Sequence, residues 1–118
     1  MNSKSKGKRG ELDAVKWLKE HGFEARRGQQ FAGGTDSPDV VSDLPFHIEV
    51  KRTERLRFDD AVDQAKRDAN GQPWVVLHRK NHGPWYAVLE GENFLNMVRE
   101  IADWDELNTP TVEVSHDD

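Results

Sequence analysis

Residues 38–51 read PDVVSDLPFHIEVK, and the fold turns on how this stretch is understood. FHIEVKR (46–52) alternates strictly, with Phe46, Ile48 and Val50 on one face of a strand and His47, Glu49 and Lys51 on the other. Pro38 opens a shorter apolar run, PDVV, and SDLP (42–45) has the composition of a turn. The pattern predicts two strands joined as a hairpin, which brings Asp39, Glu49 and Lys51 within side-chain reach of one another.

Two carboxylates that close repel, and one pKa rises unless a cation joins them. A hard divalent ion relieves the repulsion, because carboxylate oxygen, backbone carbonyl and water are the ligands that Mg²⁺ prefers. The carbonyl of Val50, between Glu49 and Lys51, is a natural third ligand. Lys51 then stands beside the ion, placed to steady an attacking water or the charge developing on a phosphate. The competing reading is a half-exposed hairpin whose polar face carries ordinary surface ion pairs.

Working outward, KRGELDAVKWLKEH (8–21) has helical spacing at Leu12, Val15 and Leu18, and Gly22 suits its C-terminal cap. Glu11 lies four and seven residues before Val15 and Leu18, on the apolar stripe or at its edge. Two explanations stand: a carboxylate facing the sheet, which needs partners, or a first-turn acid favoured by the helix dipole. FEARR (23–27) reads as a strand and GQQFAGGTDS (28–37) as a loop. A second helix is predicted over 58–69, with Phe58, Ala61, Val62, Ala65 and Ala69 as its apolar stripe and Asn70-Gly71 as its stop. Strands follow over 72–80 and 84–90 around an Asn81-His82-Gly83 turn, then a helix over 92–104. The order α-β-β-β-α-β-β-α predicts an α/β fold, a central mixed five-stranded β-sheet flanked by helices. One domain is expected over 1–107 with a basic N-terminal arm, followed by an acidic tail over 108–118.

The 118 residues fit one compact domain, and a hydrophobic share of 35% implies a small core that a dimer interface would extend. The absence of cysteine excludes disulfides, zinc ribbons and thiol nucleophiles. No apolar run is long enough to span a bilayer, and the basic start lacks the apolar stretch of a secretory signal, so a cytoplasmic protein is expected. The net charge of −5 is uneven: residues 101–118 carry six acidic groups and no Lys or Arg, which leaves residues 1–100 at +1. The cations cluster, at Lys8-Arg9, Arg26-Arg27, Lys51-Arg52 and Lys66-Arg67 among others. Such clusters are either phosphate-binding patches or solvated faces.

Pro38-Asp39 followed by Glu49-Val50-Lys51 resembles the PD-(D/E)XK nuclease motif. The wider series RGELDAVKWLKEHGFEARR, a Gly-rich loop, PDVV and HIEVK is similar to the archaeal Holliday junction resolvases and their viral relatives, over roughly residues 7 to 89. The resemblance implies a restriction-endonuclease-like fold and a homodimer that cuts four-way junction DNA with Mg²⁺ or Mn²⁺. Carried over by position, Glu11, Asp39 and Glu49 become acidic metal-binding and catalytic residues, with the Val50 carbonyl assisting, and Lys51 the catalytic lysine. Arg27 becomes a phosphate-holding arginine, and Ser37 stands where some members have a functional serine. Leu12 departs from the arginine usual after the helical glutamate, so a basic contact is either missing or supplied elsewhere, with Arg9 a candidate. For a viral protein the compartment becomes the host-cell cytoplasm.

Lys8, Arg9, Arg52, Lys66 and Arg67 are the further candidates for DNA backbone contact, with solvation as the alternative. Gln64, beside the apolar stripe of the second helix, is either an auxiliary of the site or a surface residue. His47 shares the face of Glu49 and reads as a partly buried sheet histidine. Other branches stay open: a restriction- or repair-type nuclease on other DNA, or a non-catalytic DNA-binding module of the same fold.

Overall fold

The computed structural model describes residues 3–28 and 38–108. Helix α1 (Ser3–Glu20) leads to β1 (Ala25–Arg27), β2 (Val40–Ser42) and β3 (His47–Arg52). Helix α2 (Phe58–Ala69), β4 (Trp74–Arg79), β5 (Tyr86–Leu89) and α3 (Gly91–Asn108) complete the chain. The five strands form one sheet in sequence order. β1, β2 and β3 run as an antiparallel meander, β4 and β5 as an antiparallel pair, and β3 with β4 is parallel, so the sheet is mixed. A parallel pair needs a crossover connection, and α2 supplies it.

The period-2 pattern of β3 and β4 divides the core. Ile48, Val50, Val75 and Leu77 face α1 and pack on Ala14, Val15 and Leu18. Val76 and Trp74 face α2 and pack on Ala61, Ala65 and Ala69. The buried residues of α2 are all alanines, with Val62 partly buried beside them, which lets the helix lie close to the sheet. Phe58, expected in the α2 stripe, is exposed. It occupies the first turn of α2, and burial along the helix begins only at Ala61.

The helix ends follow local chemistry. Gly22, at φ +88°, closes α1 through the amide of Phe23 donating to the Leu18 carbonyl at 3.0 Å. Asn70 and Gly71 end α2 in left-handed conformations, φ 50° and 90°. The basic N-terminal segment, expected as an arm, instead belongs to α1 from Ser3 onward, since Lys and Ser extend a helix at little cost. α3 runs four residues beyond its expected end, to Asn108, and residues 109–118 of the expected tail lie outside the described residues.

The start of β2 is pinned at both edges. The Asp39 amide donates to the Ile48 carbonyl and its own carbonyl accepts from the Gly28 amide, both at 2.9 Å. A Cβ on Gly28 would fall inside the van der Waals radius of the Pro38 carbonyl oxygen, a backbone atom that cannot swing away. Gly28→Ala is therefore expected to cost about 1–3 kcal/mol, as overpacked sites do. Urea unfolding measures it, and a midpoint equal to the wild type would contradict the close approach.

Candidate active site

Asp39 is the central carboxylate. It sits one residue before β2, where the ladder to β3 has run out, and its Oδ2 accepts the Val50 amide at 2.8 Å. A side chain thus takes the place of a missing backbone acceptor, which fixes Asp39 against β3 by the residue between Glu49 and Lys51. In a strand the N–H and C=O of one residue point to the same side. The Val50 carbonyl therefore projects from the same edge of β3 as the amide that Asp39 binds.

Glu49 is 1% exposed, on the α2 face of β3. Its Oε1 lies 2.8 Å from His47 Nε2, two residues earlier on the same face. Burial pushes the Glu49 carboxyl up to about 9, and the charge of Asp39, a hydrogen bond with Asp39 and the charge of Asp68 push the same way, against the pull of Lys51. With its proton in place Glu49 meets His47 in a hydrogen bond rather than a full ion pair. The sequence reading had His47 as a partly buried histidine and missed its carboxylate partner, although i and i+2 on one strand face is the signal that finds it.

Glu11 is 8% exposed on α1. Of its two explanations, the sheet-facing carboxylate is the one the fold adopts. Its partner is Arg27 at the end of β1, whose Nε donates to Glu11 Oε1 at 2.9 Å. Burial raises the Glu11 pKa most, the Arg27 hydrogen bond opposes, the charge of Asp39 raises it further and that of Arg27 lowers it. The field of Asp39 thus reaches both glutamates, from α1 on one side and β3 on the other. Arg27, expected as a phosphate ligand, is engaged with Glu11.

Lys51 donates from Nζ to Gln64 Oε1 of α2 at 2.8 Å, so the helix glutamine holds the lysine head. Beside them a cleft of about 230 Å³ is lined by Lys51, Thr53, Arg55, Arg57, Asp60 and Gln64. Arg55 and Arg57, on the β3–α2 connection, belong to the same basic cluster in the sequence as Lys51 and Arg52, and both line this cleft.

The other cations separate. Arg52 lies on the opposite face of β3 from Lys51, where Nε donates to Asp13 Oδ2 at 3.0 Å. Arg79 of β4 donates from Nη1 to both oxygens of Asp13, at 3.1 and 2.9 Å, and sits over the Trp85 ring. Asp13 therefore ties α1 to β3 and β4, two residues from Glu11. Asp13→Ala would leave two half-buried guanidiniums without their carboxylate, at an expected cost of about 2 kcal/mol. Thermal unfolding measures it, and a loss no larger than that of an exposed ion pair would show the hub to be dispensable. Lys8, Arg9, Lys66 and Arg67 are exposed on α1 and α2. Ser37 lies outside the described residues.

The three carboxylates do not converge as a ready-made cage. Among the described residues no group of three or more His, Asp or Glu side chains is arranged to hold a metal ion. The partners explain this: Glu11 is turned to Arg27 and Glu49 to His47. The closest coupling is that between Asp39 and Glu49. That pair fits a hard cation by its chemistry, because it concentrates carboxylate charge in a desolvated place, beside a backbone carbonyl, where only a proton or a cation offsets it. Glu11 would join by turning from Arg27.

Among the described residues no helix is long and apolar enough to cross a membrane. Comparison with family models, with curated proteins and with solved structures returns no match for the chain.

Proposed function

We propose that the protein is a metal-dependent endodeoxyribonuclease of restriction-endonuclease-like fold that resolves four-way DNA junctions. The observation that carries the reading is Asp39, bound to the Val50 amide and electrostatically coupled to Glu11 and Glu49, with Lys51 one step further along the same strand. The resemblance of Pro38-Asp39 and Glu49-Val50-Lys51 to the nuclease motif supports it, as does the cationic cleft beside Lys51.

Mg²⁺ or Mn²⁺ would be held by Asp39, Glu49 and the Val50 carbonyl, with Glu11 as the further carboxylate, and when bound would lower the pKa of a water and offset phosphate charge. Asp39 keeps its place during the reaction because the β3 backbone holds it. Lys51, oriented by Gln64, offers its ammonium to the phosphate oxygen on which charge accumulates, in a site partly shielded from water. Arg55 and Arg57 would receive a neighbouring phosphate of the same strand. Lys8, Arg9, Lys66 and Arg67 would add backbone contacts whose affinity falls steeply with salt. Four-way junctions have two equivalent strands to cut, which a homodimer in the cytoplasm, or the cytoplasm of an infected host, would engage symmetrically.

The test is cleavage of a four-way junction, a linear duplex and a single strand with Mg²⁺ or Mn²⁺. Junction-selective, metal-dependent cutting is expected. Equal cutting of the linear duplex would remove the resolvase assignment in favour of a restriction- or repair-type nuclease. Binding of the junction without cutting of any substrate would leave a non-catalytic DNA-binding module.

A further inference from the structure

Among the described residues helix α3 has no closely packed partner. Every substantial contact between described elements joins α1 or α2 to the strands, or one strand to another. Yet α3 is not a solvated helix. Phe94, Leu95, Met97, Val98 and Ile101 are 37–58% exposed and account for five of the nine exposed large apolar side chains among the described residues. Phe94, Met97, Val98 and Ile101 follow i, i+3, i+4 and i+7 and form one stripe, with Leu95 at its edge. Roughly 400 Å² of apolar surface is left in water, close to the apolar share of an ~800 Å² half-interface and large for a lone monomer.

The spacing of the stripe suits a second copy of the chain. Phe94, Met97, Val98 and Ile101 are arranged symmetrically about the midpoint between Met97 and Val98. An antiparallel copy of the same helix, turned about a two-fold axis through that midpoint, sets Phe94 against Ile101 and Met97 against Val98, in both directions at once. This is the self-complementarity that an isologous interface requires. Antiparallel pairing also sets the positive end of each helix dipole near the negative end of the other. Nucleic acid does not suit the face: Arg99 is the only cation on α3, against Glu92 and Glu100 and the further acids of its last turns.

We infer that α3 is the dimer interface of this protein, with a second copy of the chain packed antiparallel on the Phe94–Ile101 stripe. The surface argument does not depend on the activity. Its functional meaning rests on the nuclease reading, since a two-fold pair presents two equivalent sites to one junction.

Analytical ultracentrifugation of the full chain, without DNA or metal, reads the association directly. A species of twice the 13.5 kDa of one chain is expected at micromolar concentration. The double variant Phe94→Glu, Ile101→Glu is expected to sediment as a monomer with an unchanged far-UV spectrum, because α3 does not support the core. The chain has no cysteine, so a single Val98→Cys lies near the axis and is expected to form a disulfide-linked dimer on mild oxidation. Lys66→Cys, on the outer face of α2, is not. A monomeric wild type, an assembly larger than two, or a dimer that survives the double substitution would each overturn the interface. Cleavage is assayed separately, so a monomer that cuts junctions removes the interface and leaves the nuclease, and an inert dimer does the reverse.

Discussion

Asp39→Asn should lower phosphodiester cleavage at least about a thousandfold, the scale on which preorganised electrostatic groups act in such sites, while leaving the fold intact. The amide oxygen of asparagine still accepts the Val50 N–H that Asp39 Oδ2 accepts at 2.8 Å, so β2 and β3 stay in register. What disappears is the charge that raises the pKa of both Glu11 and Glu49. The variant should accordingly be at least as stable as the wild type at neutral pH, the pattern expected where function keeps like charges together at the expense of stability. Single-turnover cleavage with saturating Mg²⁺ and thermal unfolding in chelator, measured on the same preparation, check both halves. Lost activity accompanied by a large drop in melting temperature would make Asp39 a structural residue.

The second large effect is on the pH dependence of stability. The folded Glu49 carboxyl, held at about 9, keeps a proton that the unfolded chain, near 4.5, has already released. Between those values the native state binds more protons, so stability falls as pH rises. The contribution is fully present below about 4.5 and is lost as pH climbs through 9. Glu11, raised in the same direction, adds to the trend. Glu49→Gln has nothing to lose in this window. The melting temperature of the variant relative to the wild type, measured in chelator, should therefore climb steadily from pH 5.5 to 9. Mg²⁺ should stabilise the wild type more at the alkaline end, where it replaces a proton already leaving. A constant difference between variant and wild type across this range would contradict the raised pKa.

The hairpin was legible because its signal is local. Strict alternation over 46–52 fixes which of His47 to Arg52 share a face, and a four-residue turn leaves β2 few places to go. The second helix was read to the residue, since its alanine stripe and Asn70-Gly71 stop are both sequence-local. Glu11 was legible as sheet-facing only as one of two options. Its position on the stripe is a matter of period, but its commitment to Arg27 depends on where β1 ends, sixteen residues away. The Asp13–Arg52–Arg79 hub left no trace in the sequence. Its members are 39 and 66 residues from Asp13, and any of the seventeen basic residues could have been the partner. Phe58 shows the opposite limit: the helical period includes it, yet burial along α2 begins only at Ala61.

The amide of Gly28 and the carbonyl of Asp39 clasp the residue after β1 to the residue before β2, with the central carboxylate of the site at the clasp. The edge strand is therefore a lever on the carboxylate: a shift of β1 passes through one backbone hydrogen bond to the residue that carries it.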